Sequence, residues 1–414
     1  MSRSCALSWQ ELIDITPIED DLINGANNPY SHIRLFGQSK ESVRVKLYRD
    51  NHAWCPYCQK VWLWLEFKKI PYEIKKVTMR CYGQKESWYT KKVPSGMLPA
   101  LSIDGFLITE SDQILLLLEK EFGPQGNYLS EVDSLKLRHL ERRLFSSWCR
   151  WLCTPSLTQG QELNKKTNFQ SIALEMEKEI GIDENPWMDK TVISNGHRLP
   201  SSSDIIFIPY LERMNASLAY YKGFDLRKEH KQIDKWLTAL EQLTVYRGTQ
   251  GDMHTHAHDL PPQMGGCWKS KSPNQSNFES LIDKGIGLGE SEQSNKKRIT
   301  EEDISNELIA LRRVIKHRNK IVKANQLDSE EFDQPLRAAL TRMVKGIKCQ
   351  PNKGSAIGLR YLRDRISVPR DMPLLAARKL RIALEKTAEM DSSQTGIPIP
   401  KRNRLDQNPA DFRN

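Results

Sequence analysis

The sequence predicts an α/β domain, followed by an all-helical domain and then an extra basic helical module. Three observations support this prediction. Strand-like and helix-like segments alternate only in residues 43–124, helical apolar spacing dominates residues 130–247, and the net positive charge lies in the last third of the chain. A chain of 414 residues is long enough for two or three domains at roughly 150 residues each.

The α/β prediction follows from the order of elements in residues 43–124. A β-rich strand at 43–49, a helix at 56–69 and a strand at 72–78 come first. A short helix or turn at 86–89, a hairpin around Asp104-Gly105 and a helix at 111–122 capped by Ser111 follow. Residues 1–42 are polar and turn-rich, so we expect an extension that lies against this domain.

Residues 130–247 predict only helices. These are expected at 132–152, 169–180 and 229–243, with a capping box from Ser201 to Asp204 before an apolar run. Residues 248–299 are rich in Gly, Pro, Ser and Asn without periodicity, which predicts a linker or irregular cover. We expect a helical module at 300–390 and a flexible tail at 391–414.

The charge distribution sets the last module apart. Residues 291–414 contain 26 Lys and Arg against 16 Asp and Glu, which accounts for the whole net charge of +10. An anionic partner is therefore one interpretation, and a merely solvated basic surface is the favoured alternative. The basic candidates are Arg312, Arg313, Lys316, Arg318 and Lys320. The apolar stripe expected in the core of the module comprises Ile304, Leu308, Leu311, Ile315, Ala377, Leu380 and Leu384.

Hydropathy and the spacing of the cysteines indicate the location of the protein and the roles that its cysteines can have. No stretch approaches the roughly 18 apolar residues of a membrane-spanning helix, so we expect a cytoplasmic protein, or a stromal one if the source is a plastid. The eight cysteines are sparse and irregularly spaced. A disulfide framework is therefore not expected, and catalysis, metal binding or burial are the candidate roles.

One cysteine motif, Cys55-Pro56-Tyr57-Cys58, lies where a predicted strand gives way to a predicted helix. A thiolate is the reactive form of cysteine, and the N–H groups and dipole of a helix N-terminus favour it. We expect this effect at Cys55, with Cys58 one turn later as a resolving thiol. Two packing cysteines or half of a zinc site are the alternatives, although no second C-x-x-C completes such a site.

This motif and its context resemble the glutaredoxin and cysteine-type glutathione transferase families over residues 43–245. Leu98-Pro99-Ala100-Leu101, Glu110-Ser111 and the Ser201 capping box carry the rest of the resemblance. The N-terminal extension, the basic module and the stretch at 254–267 are similar to the iota class of cyanobacteria and algae. The resemblance implies a thioredoxin-like domain followed by a transferase-type helical domain, and dimers are common among such proteins.

The resemblance also implies a glutathione site. A cis-Pro99 would expose the backbone of Leu98 to the cysteinyl part of glutathione, and Glu110 with Ser111 would hold the γ-glutamyl end. Pro56 and Tyr57 would complete the site beside Cys55 and Cys58. A trans Pro99 and a simple helix cap at Glu110-Ser111 are the alternatives. Lys91 or Lys92 is a candidate for the glycyl carboxylate, and Trp148 and Trp151 are candidates for a second-substrate pocket.

The implied function is a glutathione-dependent thiol transferase or deglutathionylating reductase. Cys55 would form a mixed disulfide that a second glutathione or Cys58 resolves. One alternative is conjugation of glutathione to electrophiles, and another is a non-catalytic, glutathione-sensing scaffold that docks partners through residues 291–414. Separately, an extended segment would place His254, His256 and His258 on one side as a metal site, with a polar loop as the alternative.

Overall fold

The structure is a computed structural model of the chain. It describes residues 5–16, 19–126, 131–180, 186–189, 193–194, 197–285, 287–288, 305–391 and 393. The chain divides into two compact units. One is Asp20–Glu279, and the other combines Met1–Glu19 with Ser280–Asn414.

The secondary structure is mainly helical. The short helices and strands in the first part of the chain are α1 Trp9–Asp14, β1 Ile33–Arg34, β2 Val45–Asp50, α2 Pro56–Lys68, β3 Tyr72–Val77, α3 Ser87–Lys92, β4 Ala100–Ile103, β5 Phe106–Thr109 and α4 Ser111–Phe122. The following elements are α5 Glu131–Cys153, α6 Gln159–Glu179, β6 Ile193–Ser194, β7 His197–Arg198, α7 Ser202–Ile205, α8 Ile208–Lys222, α9 Leu226–Glu229, α10 Lys231–Leu240, α11 Thr244–Arg247, α12 Met253–Met264 and α13 Pro273–Asp283. Four further helices are Asn306–Lys323, Ser329–Lys345, Ala356–Arg365 and Leu374–Ala388.

The predicted α/β domain is confirmed as a thioredoxin-like mixed sheet. Its strand order is β1-β3-β2-β4-β5, in which β2 and β3 are parallel and the other pairs are antiparallel. The parallel pair requires a crossover, which α2 supplies. Asp104 (φ 49°) and Gly105 (φ 88°) both have left-handed backbones, as the predicted two-residue hairpin turn requires. The edge strand β1 was not predicted.

The strand register places four chain connections at the same edge of the sheet. Asp50 pairs with Val77, Tyr48 pairs with Ala100, and Ala100 pairs with Thr109. The connections that leave β2, β3 and β5 and the one that enters β4 therefore share that edge. Cys55, Leu98-Pro99 and Glu110-Ser111 all lie on these connections.

The helical part of the first unit follows the sheet domain. The predicted capping box is present, since Ser201 Oγ and the Asp204 carboxylate each bond the backbone N–H of the other residue. Asp204 also accepts a hydrogen bond from the indole of Trp236 at 2.8 Å. The prediction of an irregular cover at 248–299 was wrong for α12 and α13. Asp252 caps α12 by accepting from the backbone N–H of Thr255, and buried apolar residues such as Leu260 hold it in place.

The N-terminal extension divides between the units. Residues from Asp20 onward pack in the first unit, where Arg49 Nη2 donates to the carbonyl of Pro29 at 2.8 Å. By contrast, α1 belongs to the second unit, because Leu12 is fully buried in its apolar core with Leu311 and Phe332. The expectation that the whole of residues 1–42 lies on the first domain was therefore wrong.

The second unit is the predicted extra helical module. Leu311, Leu380 and Leu384 lie in its core as expected, whereas Ile304 lies outside the described residues. Most of the tail after residue 391 also lies outside them. Cys5 and Cys349 form a disulfide within this unit, which the sequence did not predict.

The predicted basic surface is smaller than the sequence indicated. The side chains of Arg312 and Arg313 are buried, so they do not contribute to an exposed face. Lys316 pairs with Glu19 at 3.1 Å, and Arg318 lies over the ring of Trp9. The anionic partner stays a prediction. Within the described part of the chain, no helix has the length and apolarity needed to cross a membrane.

A buried ion pair ties β1 to α2 and supplies a stability prediction. Arg34 Nε lies 2.9 Å from Glu66 Oε1, with both side chains at most 2% exposed, and the Tyr72 hydroxyl donates to the same oxygen. Glu66→Ala would leave the guanidinium buried without its counter-charge, so we expect a loss of about 3–5 kcal/mol in the free energy of unfolding. Urea unfolding followed by Trp fluorescence measures this, because every Trp except Trp9 lies in Asp20–Glu279.

The control for this prediction is Arg44→Ala. The Arg44–Asp104 pair is similarly close at 2.6 Å, but its side chains are 46% and 55% exposed. Its loss should cost at most about 1 kcal/mol, because water solvates both charges. Equal costs for the two variants would contradict the role assigned to burial.

Candidate active site

The Cys55-Pro56-Tyr57-Cys58 motif begins helix α2. Cys55 is the N-cap residue, with an extended backbone (φ −60°, ψ 119°), and Pro56 is the first helical residue as predicted. The buried carboxylate of Asp50 holds the preceding turn. Its Oδ2 accepts hydrogen bonds from the backbone N–H groups of Trp54 at 2.6 Å and Cys55 at 3.1 Å. The last residue of the strand therefore fixes the backbone that carries the sulfur of Cys55.

The two sulfurs of the motif are not equivalent. Cys58 is fully enclosed, and burial together with a hydrogen bond to the Cys55 sulfur raises the pKa of the Cys58 thiol well above its ordinary value. The negative charge of Asp50 acts in the same direction. Cys58 therefore retains its proton and donates it toward Cys55. The expected thiolate of Cys55 stays a prediction.

Two cationic side chains lie within electrostatic range of the Cys55 sulfur. Arg213 on α8 is buried and donates to the carbonyl of Trp54, directly before the motif, and its guanidinium lies within Coulomb range of the Cys55 side chain. Lys85, between β3 and α3, interacts with both sulfurs and donates to the carbonyl of Thr78 at 3.0 Å. Burial lowers the pKa of the Lys85 ammonium. Neither residue is identifiable from the sequence, because both reach the motif only in the folded chain.

A buried polar network connects Arg213 to the helical domain. Gln59 on α2 accepts from Arg213 Nη1 at 2.9 Å and donates to Glu212 Oε2 at 2.8 Å. The other oxygen of Glu212 accepts from the backbone N–H of Gly251 and lies 3.1 Å from His256 Nε2. A Cβ at Gly251 would lie 2.3 Å from the imidazole, so only glycine permits this approach. The network fixes α2 against α8 and α12.

The other predicted site residues lie at the same edge of the sheet. The Leu98–Pro99 peptide bond is cis, as the sequence predicted. Glu110 is the N-cap residue of α4, with a left-handed backbone (φ 68°) that is unusual outside glycine. The prediction that Ser111 caps this helix was wrong, because Ser111 is its first helical residue. The Glu110 side chain makes no capping hydrogen bond to the first backbone N–H groups of α4.

An ion pair joins the helices that begin at this edge. Lys60 on α2 donates to Asp112 Oδ1 at 2.8 Å, and Arg138 on α5 lies 3.1 Å from the same oxygen. The charge of Lys60 is the main favourable influence on the Asp112 carboxylate, and it holds the pKa of that group below its ordinary value despite burial. Asp112 adjoins Glu110-Ser111, so the pair links the start of α4 to the helix that carries Cys55.

The helical domain contributes an aromatic wall next to Tyr57. The ring of Tyr210 lies 6.0 Å from that of Tyr57 and 5.3 Å from that of Phe145, and Arg142 stacks on both Tyr210 and Phe145. Phe145 is half-buried and Arg142 is exposed. By contrast, the candidates Trp148 and Trp151 are buried in the core, where their indoles bond Ser217 and Glu162. The expectation that these two line a substrate pocket was wrong.

Two further candidates differ from the expectations. Lys91 and Lys92 are exposed at the end of α3, whereas Lys85 is the lysine within Coulomb range of the two sulfurs. The three alternating histidines lie on the helix α12 rather than on an extended segment, so they do not share one side. His256 points to Glu212, while His254 and His258 lie one turn apart, with tilted rings whose centroids are 4.7 Å from each other.

The arrangement at the motif can also be judged as a metal site. A carboxylate oxygen of Asp50 and the sulfurs of Cys55 and Cys58 lie within 4.8 Å of one another. A structural zinc ion takes four such ligands, and the described residues offer three at this place. The donor set therefore fits thiol chemistry better than a structural zinc site.

Comparison with known proteins gives the following similarities. Residues 54–121 match the family described as "Glutathione S-transferase, N-terminal domain". The chain is 26% identical over 175 residues to Glutathione S-transferase DHAR3, chloroplastic, from Arabidopsis thaliana, over 42% of this chain and 59% of that protein. It is 25% identical over 187 residues to Probable glutathione S-transferase DHAR1, cytosolic, from Oryza sativa subsp. japonica, over 45% of this chain and 79% of that protein.

Among solved structures, the dehydroascorbate reductase of Chlamydomonas reinhardtii aligns with a TM-score of 0.40 and 19% identity, over 50% of this chain and 93% of that one. The sequence matches support a glutathione transferase family for the domain that carries the cysteine motif. This chain spans less than two thirds of the length of the Arabidopsis protein. The relatives' names include both a chloroplast and a cytosolic location, so they do not fix a compartment.

The inequality of the two sulfurs predicts different rates of alkylation. With limiting iodoacetamide near pH 7.5, we expect Cys55 to be modified about tenfold faster than Cys58 or more, because only thiolates react and Cys58 holds its proton. Peptide mass spectrometry measures both sites. The same reaction in urea is the control, since unfolding removes the burial that protects Cys58. Equal rates in the folded protein would contradict the assignment.

Proposed function

We propose that this chain is a glutathione-dependent thiol transferase that reduces disulfide-type substrates through the sulfur of Cys55. The observation that carries the proposal is the asymmetric sulfur pair at the start of α2. Cys58 donates a hydrogen bond to Cys55 and keeps its own proton, while Arg213 and Lys85 supply positive charge beside Cys55. Such surroundings favour a thiolate at Cys55 as the attacking sulfur.

The proposed reaction proceeds in two exchange steps. The Cys55 thiolate attacks the glutathione sulfur of a glutathionylated substrate, so the substrate disulfide breaks and the substrate leaves as a thiol after taking a proton from water. The thiolate of a second glutathione then attacks the glutathione sulfur on Cys55. Oxidised glutathione leaves, and the Cys55 thiolate is restored. One free glutathione is consumed: it leaves in oxidised glutathione together with the glutathionyl group taken from the substrate, so the substrate disulfide is exchanged for the glutathione disulfide.

The polar groups at this edge of the sheet suit the separate parts of a glutathione molecule. Leu98 precedes β4, which begins at Ala100, so its backbone lies outside the sheet ladder, and this supports a role in pairing with the cysteinyl residue of glutathione. The first N–H groups of α4 and the Ser111 hydroxyl suit the α-carboxylate of the γ-glutamyl residue. Glu110 suits its ammonium group, and Lys85 suits the glycyl carboxylate better than Lys91 or Lys92.

The second substrate would approach along the aromatic wall of Tyr57, Tyr210 and Phe145. Arg142 lies on this wall, but Glu141 already accepts from its Nε at 2.6 Å and pairs with its Nη2, so the wall mainly offers aromatic surface, which favours substrates with an apolar part. The names of the relatives point to a glutathione-dependent reductase of the dehydroascorbate type as one form of this activity. The place of the chain within the iota class rests on the sequence resemblance and is part of the proposal.

Reduction of hydroxyethyl disulfide by glutathione tests the proposed nucleophile. Cys55→Ser should lose the activity to the background rate, because a serine hydroxyl does not form the mixed disulfide. Cys58→Ser should retain much of it, since a second glutathione resolves the intermediate. Cys81→Ser is the matched control, because burial raises the pKa of that thiol to about 12 and keeps it unreactive.

Conjugation is distinguished by a second assay with an aromatic electrophile. If Cys55→Ala keeps conjugation and the wild type shows no disulfide reduction, the thiol transferase proposal is wrong. Glutathione binding without turnover in either assay would instead favour the scaffold alternative.

The role of Glu110 gives a binding prediction. Glu110→Gln removes the charge proposed to hold the glutathione ammonium. Because a hydrogen bond to a charged group typically contributes roughly 1.5–3 kcal/mol, the KM for glutathione should rise about tenfold or more. The kcat should change little, because this contact is the same in the ground state and the transition state. Glu119→Gln makes the same change of charge near the other end of α4, and it should leave the KM unaltered.

A further inference from the structure

A second pair of cysteines lies in the helical domain, apart from the motif on α2. Cys153 is the last residue of α5, and Cys267 follows α12. Both are free thiols and partly exposed. The backbone N–H of Trp268, next to Cys267, donates to the carbonyl of Leu152, next to Cys153, at 2.9 Å, and each thiol influences the pKa of the other. Two thiols beside a direct backbone hydrogen bond are within the reach that disulfide formation requires.

Backbone hydrogen bonds hold Cys267 in this position. The helix α12 ends at Met264, and two glycines with positive φ, Gly265 and Gly266, turn the chain back. The N–H of Trp268 then donates to the carbonyl of Leu152 at 2.9 Å, and the N–H of Ser270 donates to the carbonyl of Tyr221 at 2.8 Å. Main-chain bonds on the C-terminal side of Cys267 therefore hold this residue beside Cys153.

We propose that Cys153 and Cys267 form a second redox-active dithiol, which low-molecular-weight disulfides oxidise to an intramolecular disulfide. The inference goes beyond the proposed function, because it concerns other cysteines and another part of the first unit. It does not require Cys55 to be active.

The environment of the pair sets the order of the reaction. The hydrogen bond from Cys267, aided by the charge of Lys222, lowers the pKa of Cys153. These effects outweigh burial, which acts in the opposite direction. The negative end of the α5 dipole also disfavours a thiolate at this position. The same hydrogen bond, together with burial, raises the pKa of Cys267 far above its ordinary value. Cys153 is therefore the attacking sulfur and Cys267 the resolving one.

The reaction balances with oxidised glutathione as the oxidant. The Cys153 thiolate attacks one sulfur of oxidised glutathione, the disulfide breaks, and one glutathione leaves and takes a proton. Cys267 then loses its proton and attacks Cys153, and the second glutathione leaves. The two protein thiols lose two electrons, and the glutathione disulfide gains them.

The neighbouring thiols provide matched controls. Cys149 lies one turn before Cys153 on α5, and Cys81 lies near α12, where it contacts Gln263. Both are partly exposed like the proposed pair. Burial raises the pKa of each to about 12, so neither should react at neutral pH.

The test is incubation of the full chain with graded mixtures of reduced and oxidised glutathione, followed by alkylation and peptide mass spectrometry. We expect a peptide pair linked through Cys153 and Cys267 in the wild type and in Cys55→Ser. Cys267→Ser keeps a hydrogen-bond donor but cannot form the disulfide, so a glutathione adduct should accumulate on Cys153. Cys149→Ser and Cys81→Ser should give the same linked pair as the wild type.

A second measurement separates reactivity from structure. Cys267→Ala removes the donor, so the pH midpoint for alkylation of Cys153 should shift upward, whereas Cys267→Ser should shift it less. Oxidation should also raise the melting temperature of the wild type, because the bond closes a long loop. This rise should be absent in Cys267→Ser.

The outcomes distinguish this inference from the proposed function. If Cys55 becomes glutathionylated while Cys153 forms neither the linked pair nor an adduct, the second dithiol is refuted and the proposed function stands. If the linked pair forms while Cys55 stays inert, the second dithiol stands and the proposed function is refuted. Equal modification of Cys149 and Cys153 would also refute the inference, because it would show that the hydrogen bond from Cys267 confers no selectivity.

Discussion

The hydrogen bonding of the central strand β2 is the constraint on which the candidate active site depends. This strand pairs in parallel with β3 on one side and antiparallel with β4 on the other. The two registers bring the end of β2, the start of β4 and, through β5, the start of α4 to one edge of the sheet. No single connection contains the site, and a shift of one residue in either register would move its parts away from one another.

At that edge, charge and burial give the two cysteines of the motif different acidities and exposures, although their side chains are chemically identical. Asp50 fixes the turn before α2, and its charge also helps Cys58 to keep its proton. Arg213 reaches the turn from α8 and brings positive charge to the side of Cys55. The helical domain therefore contributes charge beside the sulfur pair as well as the aromatic wall next to Tyr57. The buried chain from Arg213 through Gln59 and Glu212 to His256 keeps this contribution in place.

A similar asymmetry recurs at Cys153 and Cys267, without help from a helix N-terminus. In both pairs the interaction with the partner sulfur raises the pKa of one thiol, Cys58 in the first pair and Cys267 in the second. The physical cause is the same, because a negative charge on one sulfur is stabilised by the proton that its neighbour retains. The surroundings of the two pairs differ. The first pair lies at the sheet edge that carries the cis-Pro99, whereas backbone hydrogen bonds hold the turn that carries Cys267 in the second.

The sequence by itself determined the local features of this protein. The order of most strands and helices in the α/β domain, the hairpin at Asp104-Gly105 and the Ser201 capping box follow from short-range preferences, which a stretch of a few residues contains. The cis-Pro99 was expected only from the resemblance to the glutathione transferase families, because local preference favours a trans bond. The position of Cys55 at the start of a helix was also predictable, because Pro56 favours the first helical position. Tertiary structure alone decided which distant residues meet. Arg213 and Lys85 approach the sulfurs, Trp148 and Trp151 enter the core, and Cys267 reaches Cys153, because packing and burial act between residues far apart in the chain and leave no periodic pattern in it.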